Sequence, residues 1–213
     1  MLNQDLGTTV FVVLDIETSG ASPHTGSAIT EIGAVKVCGG QTLGTFQTFV
    51  NPGHSLSSKI TSLTGITDQM LSDAPSISTV LPLLFDFLGS EDETIFVAHN
   101  APFDLSFLTA AAATHGYAWP RYRVVDTVKA ARYVLSKDDV INYRLATLAS
   151  YFQTKVTPSH RALDDAHATV DVLHGIIERM GSFGIFTIGQ MMNASSKRKP
   201  RLTSSEAQSF PST

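Results

Sequence analysis

An α/β domain, with a mixed central sheet flanked by helices, is the fold class the sequence predicts. Three observations lead there. Short apolar runs of strand length recur along the chain. The first three follow one another with only short returns between them, which implies an antiparallel start. The later ones alternate with segments of helical periodicity, which implies helices packed on the sheet. The chain has 213 residues, 43% of them hydrophobic, which suits one domain with a proper buried core plus a tail.

The elements are expected in this order. Val10–Asp15 reads as a buried strand, Ile29–Val37 as a second around EIGAVKV, and Thr45–Val50 as a third after a turn at Gly39 and Gly40. Asn51–Ala74 carries NPGHS and LTGITDQM and reads as a long loop with a short helix. In Ile77–Leu88 the apolar residues Ile77, Val80, Leu81, Leu84, Phe85 and Leu88 have helical spacing. Thr94–Ala98 is a short apolar strand, and Ala101–Thr114 a helix with Phe103, Phe107, Leu108 and Ala111 inward. Val124 and Val125 end a further strand just before Asp126, a natural N-cap. Thr127–Leu135 and Leu145–Phe152 read as shorter helices. Leu163–Met180 is the longest helix, with Ala166, Val170, Leu173, Ile177 and Met180 on one face. The ordered domain is expected over residues 8–182. Residues 183–213 are expected to hold a short helix in SFGIFTIGQMM and, from Asn193, a polar tail or linker. The basic cluster Lys197, Arg198, Lys199 and Arg201 within it reads as solvated.

Composition narrows the function classes. A formal net charge of −4 argues against a protein that coats nucleic acid electrostatically. It leaves room for an enzyme that grips a few nucleotides through bound cations, whose charge the sequence does not count. The single cysteine, Cys38, rules out an internal disulfide and a cysteine-based zinc site. No apolar run is long enough to span a bilayer, and MLNQDLGTTV has no signal-peptide pattern, so no membrane is expected and a cytoplasmic setting is.

The stretch VVLDIETSG carries the chemistry. Strand alternation puts Asp15 and Glu17 on the same side, where like charges repel unless a cation lies between them. Alone, the pair also fits a strand that reaches solvent. Likewise Asp104, in FVAHNAPFDLSFL, and Asp164 and Asp165, in HRALDDAHATVDVL, fit ordinary first-turn helix acids, and His160 fits a plain loop residue. Together they say more. In an open α/β layer, strand ends and the helix starts after them gather at one edge of the sheet. Clustered acids repel one another severely, and hard divalent cations bound by oxygen ligands resolve that.

The motifs LDIETSG, HNAPFDLSFL and HRALDDA, in this order, resemble those of the DEDDh 3′–5′ exonucleases, the DnaQ-like family that includes the proofreading epsilon subunit of bacterial replicative DNA polymerase. The spacing from His160 to Asp165 is the HxAxxD form of the histidine branch; the tyrosine branch would place Tyr where this chain has Arg161. The resemblance covers roughly Val10 to Met180 and implies a ribonuclease-H-like fold. It implies that Asp15, Glu17, Asp104 and Asp165 hold two divalent metal ions, Mg²⁺ or Mn²⁺, and that His160 is the general base. It further implies that Thr18, Leu63, Gly65 and Ile66 line a pocket for the terminal nucleotide, and that Asn100 holds the turn of the second motif beside it.

The expected reaction is metal-dependent removal of nucleotides from DNA 3′ ends, in proofreading or repair, with release of nucleoside 5′-monophosphates. The expected partner is a single-stranded or frayed DNA 3′ end. A DNA polymerase is a further candidate partner. So is a fused GIY-YIG nuclease domain, because the closing lines of the domain also resemble the exonuclease half of excinuclease-C-like fusion proteins. An RNA-trimming exoribonuclease and a catalytically silent nucleic-acid-binding scaffold are the alternatives; the full set of acids plus histidine speaks against the second.

Overall fold

The computed structural model describes residues 2–196. Its five-stranded sheet has the order β3-β2-β1-β4-β5. The strands are β1 (Val10–Thr18), β2 (Ile29–Cys38), β3 (Gln41–Phe49), β4 (Thr94–Ala98) and β5 (Arg123–Asp126). β1, β2 and β3 pair antiparallel, while β4 joins β1 in parallel and β5 joins β4 in parallel. The mixed sheet and its antiparallel start are those expected from the strand order.

Alternation along β1 sorts its residues between two cores. Phe11 and Val13 face one side, with Val35, Val37, Ile95, Val97 and Val125. That side is covered by α5 (Thr127–Val134), α6 (Leu145–Phe152), α7 (Ala162–Gly181) and α8 (Ile188–Ser196). Val12, Leu14 and Ile16 face the other side, with Ile32, Ala34 and Phe96, under α3 (Ile77–Leu88) and α4 (Pro102–Thr114). Both faces of the central strands are therefore dry, which explains why β1 and β4 read as unbroken apolar runs.

Several details differ from the sequence expectation. β1 does not stop at Asp15 but runs to Thr18, so both carboxylates lie within the ladder. β3 starts at Gln41, earlier than expected, because pairing with β2 carries an edge strand through residues with little apolar signal. The 51–74 segment holds two short helices, α1 (Ser58–Thr64) and α2 (Asp68–Ser72), rather than one. They are separated at Gly65, whose φ of 71° ends α1 in the left-handed region. Each is capped by the hydroxyl of its preceding residue, Ser57 or Thr67.

The last helix, α8, is more than a surface appendage. Ile188 and Met191 are fully buried in the same core as α5 and α7. It also runs past Asn193, where a polar tail was expected to begin. The remainder of that tail, with the basic cluster at Lys197, Arg198, Lys199 and Arg201, lies outside the described residues.

Candidate active site

The site is built where β1 outruns β4. β4 pairs only with Val10–Val13 of β1, leaving the second half of β1 open on that side. Asp15 and Glu17 continue the face of Phe11 and Val13, where apolar side chains give way to carboxylates. The first turn of α7 lies against the same face. Gly33, opposite Asp15 on β2, has no side chain, and a Cβ there would collide with the backbone of Ala162 and Leu163. This contact brings Asp165 and the preceding His160 to the carboxylates of β1. Asp104 arrives in the first turn of α4, just after β4 ends.

Of the residues named from sequence, Asp15, Glu17, Asp104, Asp165 and His160 are brought together. Ligand atoms of Glu17, His160 and Asp165 all lie within 4.8 Å of one another. Burial pushes the Asp15 carboxyl well up, and the neighbouring charges of Asp104, Asp165, Glu17 and Glu31 push it further. Glu17 is raised to about 8 by burial and then by Asp165, Glu31 and Asp104. Asp104 is raised to about 8, chiefly by burial, against the hydrogen bonds from its own N–H and that of Ile16. Burial also raises Asp165, although the Ser159 N–H at 2.8 Å and the charge of His160 favour its ionised form.

These shifts have one physical meaning: the carboxylates cannot all ionise without positive charge among them. The Arg161 guanidinium, whose charge lowers Glu17 against these effects, is already held by Glu31 in a two-pronged ion pair at 3.0 Å. Carboxylate oxygens suit a hard divalent cation, so the residues present fit the expected metal. Asp164 is turned away, accepting the Ser159 hydroxyl at 2.8 Å. His160 is exposed, with a φ of 59°.

The expected nucleotide-binding residues divide. Leu63 is 48% exposed and Gly65 borders open space. Ile66 is fully buried, and its N–H is held by the Thr64 hydroxyl at 3.1 Å. Thr18 is also buried, its hydroxyl donating to the Gly20 carbonyl at 2.7 Å. Asn100 is exposed, with a φ of 69°, and its N–H reaches Asp126 Oδ1 at 3.3 Å. Asp126 also caps α5 through the Val128 N–H at 2.9 Å, so the turn of the second motif is tied to the start of α5.

Sequence reasoning missed Glu31 and Arg161. Glu31 is fully buried and lies opposite Glu17 on the ladder. Its neighbours Thr30 and Ile32 are also fully buried, but that burial is a property of the fold and leaves no signal in the sequence.

A sheet that gathers four acids and a histidine beside its central strand offers a site suited to divalent cations. A model of the Exonuclease family (RNase_T) matches residues 12–173, and the chain belongs to that family. It is 51% identical over 190 residues to a protein of Mycobacterium tuberculosis (strain CDC 1551 / Oshkosh) named as a bifunctional exonuclease/endonuclease protein. It is 40% identical over 189 residues to a DNA polymerase III PolC-type of Caldanaerobacter subterraneus subsp. tengcongensis. The matches cover 86% and 89% of this chain but only 29% and 13% of those proteins. Exonuclease X in complex with 5′-overhanging duplex DNA has a similar structure, with a TM-score of 0.67 and 27% identity over 87% of this chain and 99% of that one. The nuclease domain of 3′hExo, a DEDDh family member, shares the fold, with a TM-score of 0.69, 18% identity, and coverage of 82% of this chain and 94% of that one. No described helix is long and apolar enough to cross a membrane.

Proposed function

We propose that the chain is a 3′–5′ exonuclease that removes nucleotides from DNA 3′ ends with divalent metal ions, releasing nucleoside 5′-monophosphates. The observation that carries this is the meeting of Asp15, Glu17, Asp104, Asp165 and His160 at the open end of β1, with Glu17, His160 and Asp165 within 4.8 Å by their ligand atoms. Membership of the Exonuclease family and the names of its polymerase and exonuclease relatives support DNA as the substrate.

Asp15, Glu17, Asp104 and Asp165 are the ligands proposed for two ions, Mg²⁺ or Mn²⁺. When bound, these ions offset the phosphate's charge and acidify a water. The chain's own residues do the rest. His160, exposed at the rim, takes the proton of the attacking water on its imidazole and passes it to solvent. Leu63 offers an apolar surface to the terminal base, which needs only stacking and backbone contacts. Gly65 and the backbone around Thr18, Ile66 and Asn100 shape the pocket around it.

The whole-protein context is also a proposal. The relative named as a bifunctional exonuclease/endonuclease is much longer than this chain, which supports a second nuclease domain as partner; the GIY-YIG type rests on the resemblance of the domain's closing residues alone. The polymerase relatives support the other arrangement, a polymerase.

Gel-resolved digestion tests the reaction. 5′-Labelled single-stranded DNA, a mispaired primer–template and single-stranded RNA are incubated with Mg²⁺, Mn²⁺ or EDTA, beside Asp15→Ala and His160→Ala. A metal-dependent ladder from the DNA 3′ end, lost in both variants, is the expected result. Preferential digestion of RNA would reassign the substrate, and no digestion by folded protein would overturn the enzyme reading.

A further inference from the structure

Glu31 is an acid for which the proposed chemistry has no use. It is fully buried, and both oxygens are committed. Oε1 accepts from Arg161 Nη2 at 3.0 Å and from Gln47 Nε2 at 2.9 Å. Oε2 accepts from Arg161 Nε at 3.0 Å and from the Ala162 N–H at 3.1 Å. Four donors leave it nothing to offer a cation, so it is not a further metal ligand. Nor does stability account for it, since a buried ion pair is commonly no better than an apolar pair of the same shape.

What the pair does is anchor the chain immediately after His160. Arg161 is tied through its side chain and Ala162 through its backbone, both to one carboxylate on β2. The Arg161 guanidinium also lies over the Phe49 ring, 5.2 Å from its centroid, and Phe49 is the ladder partner of Glu31. On the other side, the Ser159 N–H is tied to Asp165 Oδ1 at 2.8 Å. His160 is thus a one-residue arch between two clamps. Its φ of 59° is a conformation that costs a residue with a side chain on the order of 1–2 kcal/mol. Such a conformation persists only where the surroundings over-determine it.

We propose that Glu31 and Arg161 form a positioning pair that holds the His160 imidazole beside Glu17 and Asp165. The pair acts through the backbone of residues 160–162 and touches neither substrate nor metal. A lysine at 161 keeps the charge but cannot make the two parallel bonds, so it releases the arch while leaving the cluster's charge intact. This inference rests on the reading of His160 as general base.

The test uses Arg161→Lys and Glu31→Gln, each alone and in a His160→Ala background. Single-stranded DNA turnover, Mn²⁺ binding by calorimetry and amide hydrogen exchange are measured. Because the Arg161 side chain is partly exposed, Arg161→Lys serves even if Glu31→Gln fails to fold. The expected result is a kcat lowered about 100-fold by Arg161→Lys, the scale of a small misplacement of a catalytic group, with KM and Mn²⁺ affinity unchanged. In the His160→Ala background the same substitution causes no further loss. Exchange quickens at Ser159 and Ala162 but not in the body of α7. Equal losses of kcat in both backgrounds, or Mn²⁺ affinity falling in step with kcat, would overturn the pairing with His160 and make the ion pair a support of the carboxylates. If the wild-type chain digests nothing, the exonuclease reading fails instead, and the exchange data decide alone: unchanged protection at Ala162 and Ser159 overturns the clamp.

Discussion

Asp15 on β1 and Gly33 on β2 face each other across the antiparallel ladder, and the side chain Gly33 lacks is the space that the first turn of α7 occupies. The acid and the gap work together: one supplies a carboxylate, and the other lets the helix carrying Asp165 come down beside it. A methyl group at 33 would have to push the backbone of Ala162 and Leu163 away. Gly33→Ala is expected to destabilise the fold by about 1–3 kcal/mol, the usual cost of overpacking. Digestion is expected to fall further than the lost stability explains. Thermal melts beside single-turnover rates at a temperature where the variant is folded check this; full activity in a folded variant would show that the close approach is not needed.

The acid cluster makes a pH prediction with a definite sign. Glu17 and Asp104 stand at about 8 in the folded chain, against ordinary values of 4.5 and 3.8. Between those limits the folded state holds protons that the unfolded state has released. Stability in EDTA therefore falls as pH rises through that window, toward about 8. Asp104→Asn and Glu17→Gln flatten the slope and raise the melting temperature in EDTA near pH 8, while digestion is lost. Mg²⁺ or Mn²⁺ reverses the wild-type slope, since carboxylates bind cations in their ionised form. Melting curves across that range, with and without metal, are the measurement, and a wild-type chain that gains stability with pH in EDTA would refute the mutual repulsion.

His160 is expected to serve as base rather than as ligand. His160→Ala should lower kcat by roughly 10²–10⁴, the span of general base catalysis, while Mn²⁺ still binds with wild-type affinity. Its closeness to Glu17 and Asp165 makes the calorimetry informative. A loss of Mn²⁺ affinity matching the loss of rate would make His160 a metal ligand.

Asn100 sits in the left-handed region at a φ of 69°, and its N–H is bound by Asp126. Asparagine tolerates this conformation and glycine adopts it freely, whereas a β-branched residue is strained there. Asn100→Gly is expected to keep both melting temperature and kcat/KM, and Asn100→Val to lower both. A rise in KM for Asn100→Gly without loss of stability would instead place the side chain against substrate.

Much of the fold was legible because its signals are local. The bounds of α3, β4 and α6 follow from apolar spacing alone, since each element is short and buries a plain apolar stripe or run. The acids were legible because motifs place them within a few residues of strand ends and helix starts. β3 was shortened because an edge strand needs a neighbour more than apolar residues. The second helix of the 51–74 segment was missed because a five-residue helix has almost no periodicity to read.

By itself the sequence determined where the acids and the histidine of the proposed site stand along the chain: Asp15 and Glu17 two apart on a strand, Asp104 in the first turn of one helix, His160 and Asp165 at the start of another. Periodicity and capping are near-neighbour effects, so they can be read along the chain. Only the tertiary structure decided how the groups meet. Gly33 in EIGAV is silent until α7 descends on it, and Glu31 looks like any strand acid until Arg161, 130 residues later, closes on it. Ile66 and Thr18, named with the pocket, are buried, because packing and not motif sets how much of a side chain is exposed. Exclusion of water, close approach and the pairing of distant charges depend on the whole folded volume, and no local stretch of residues encodes them.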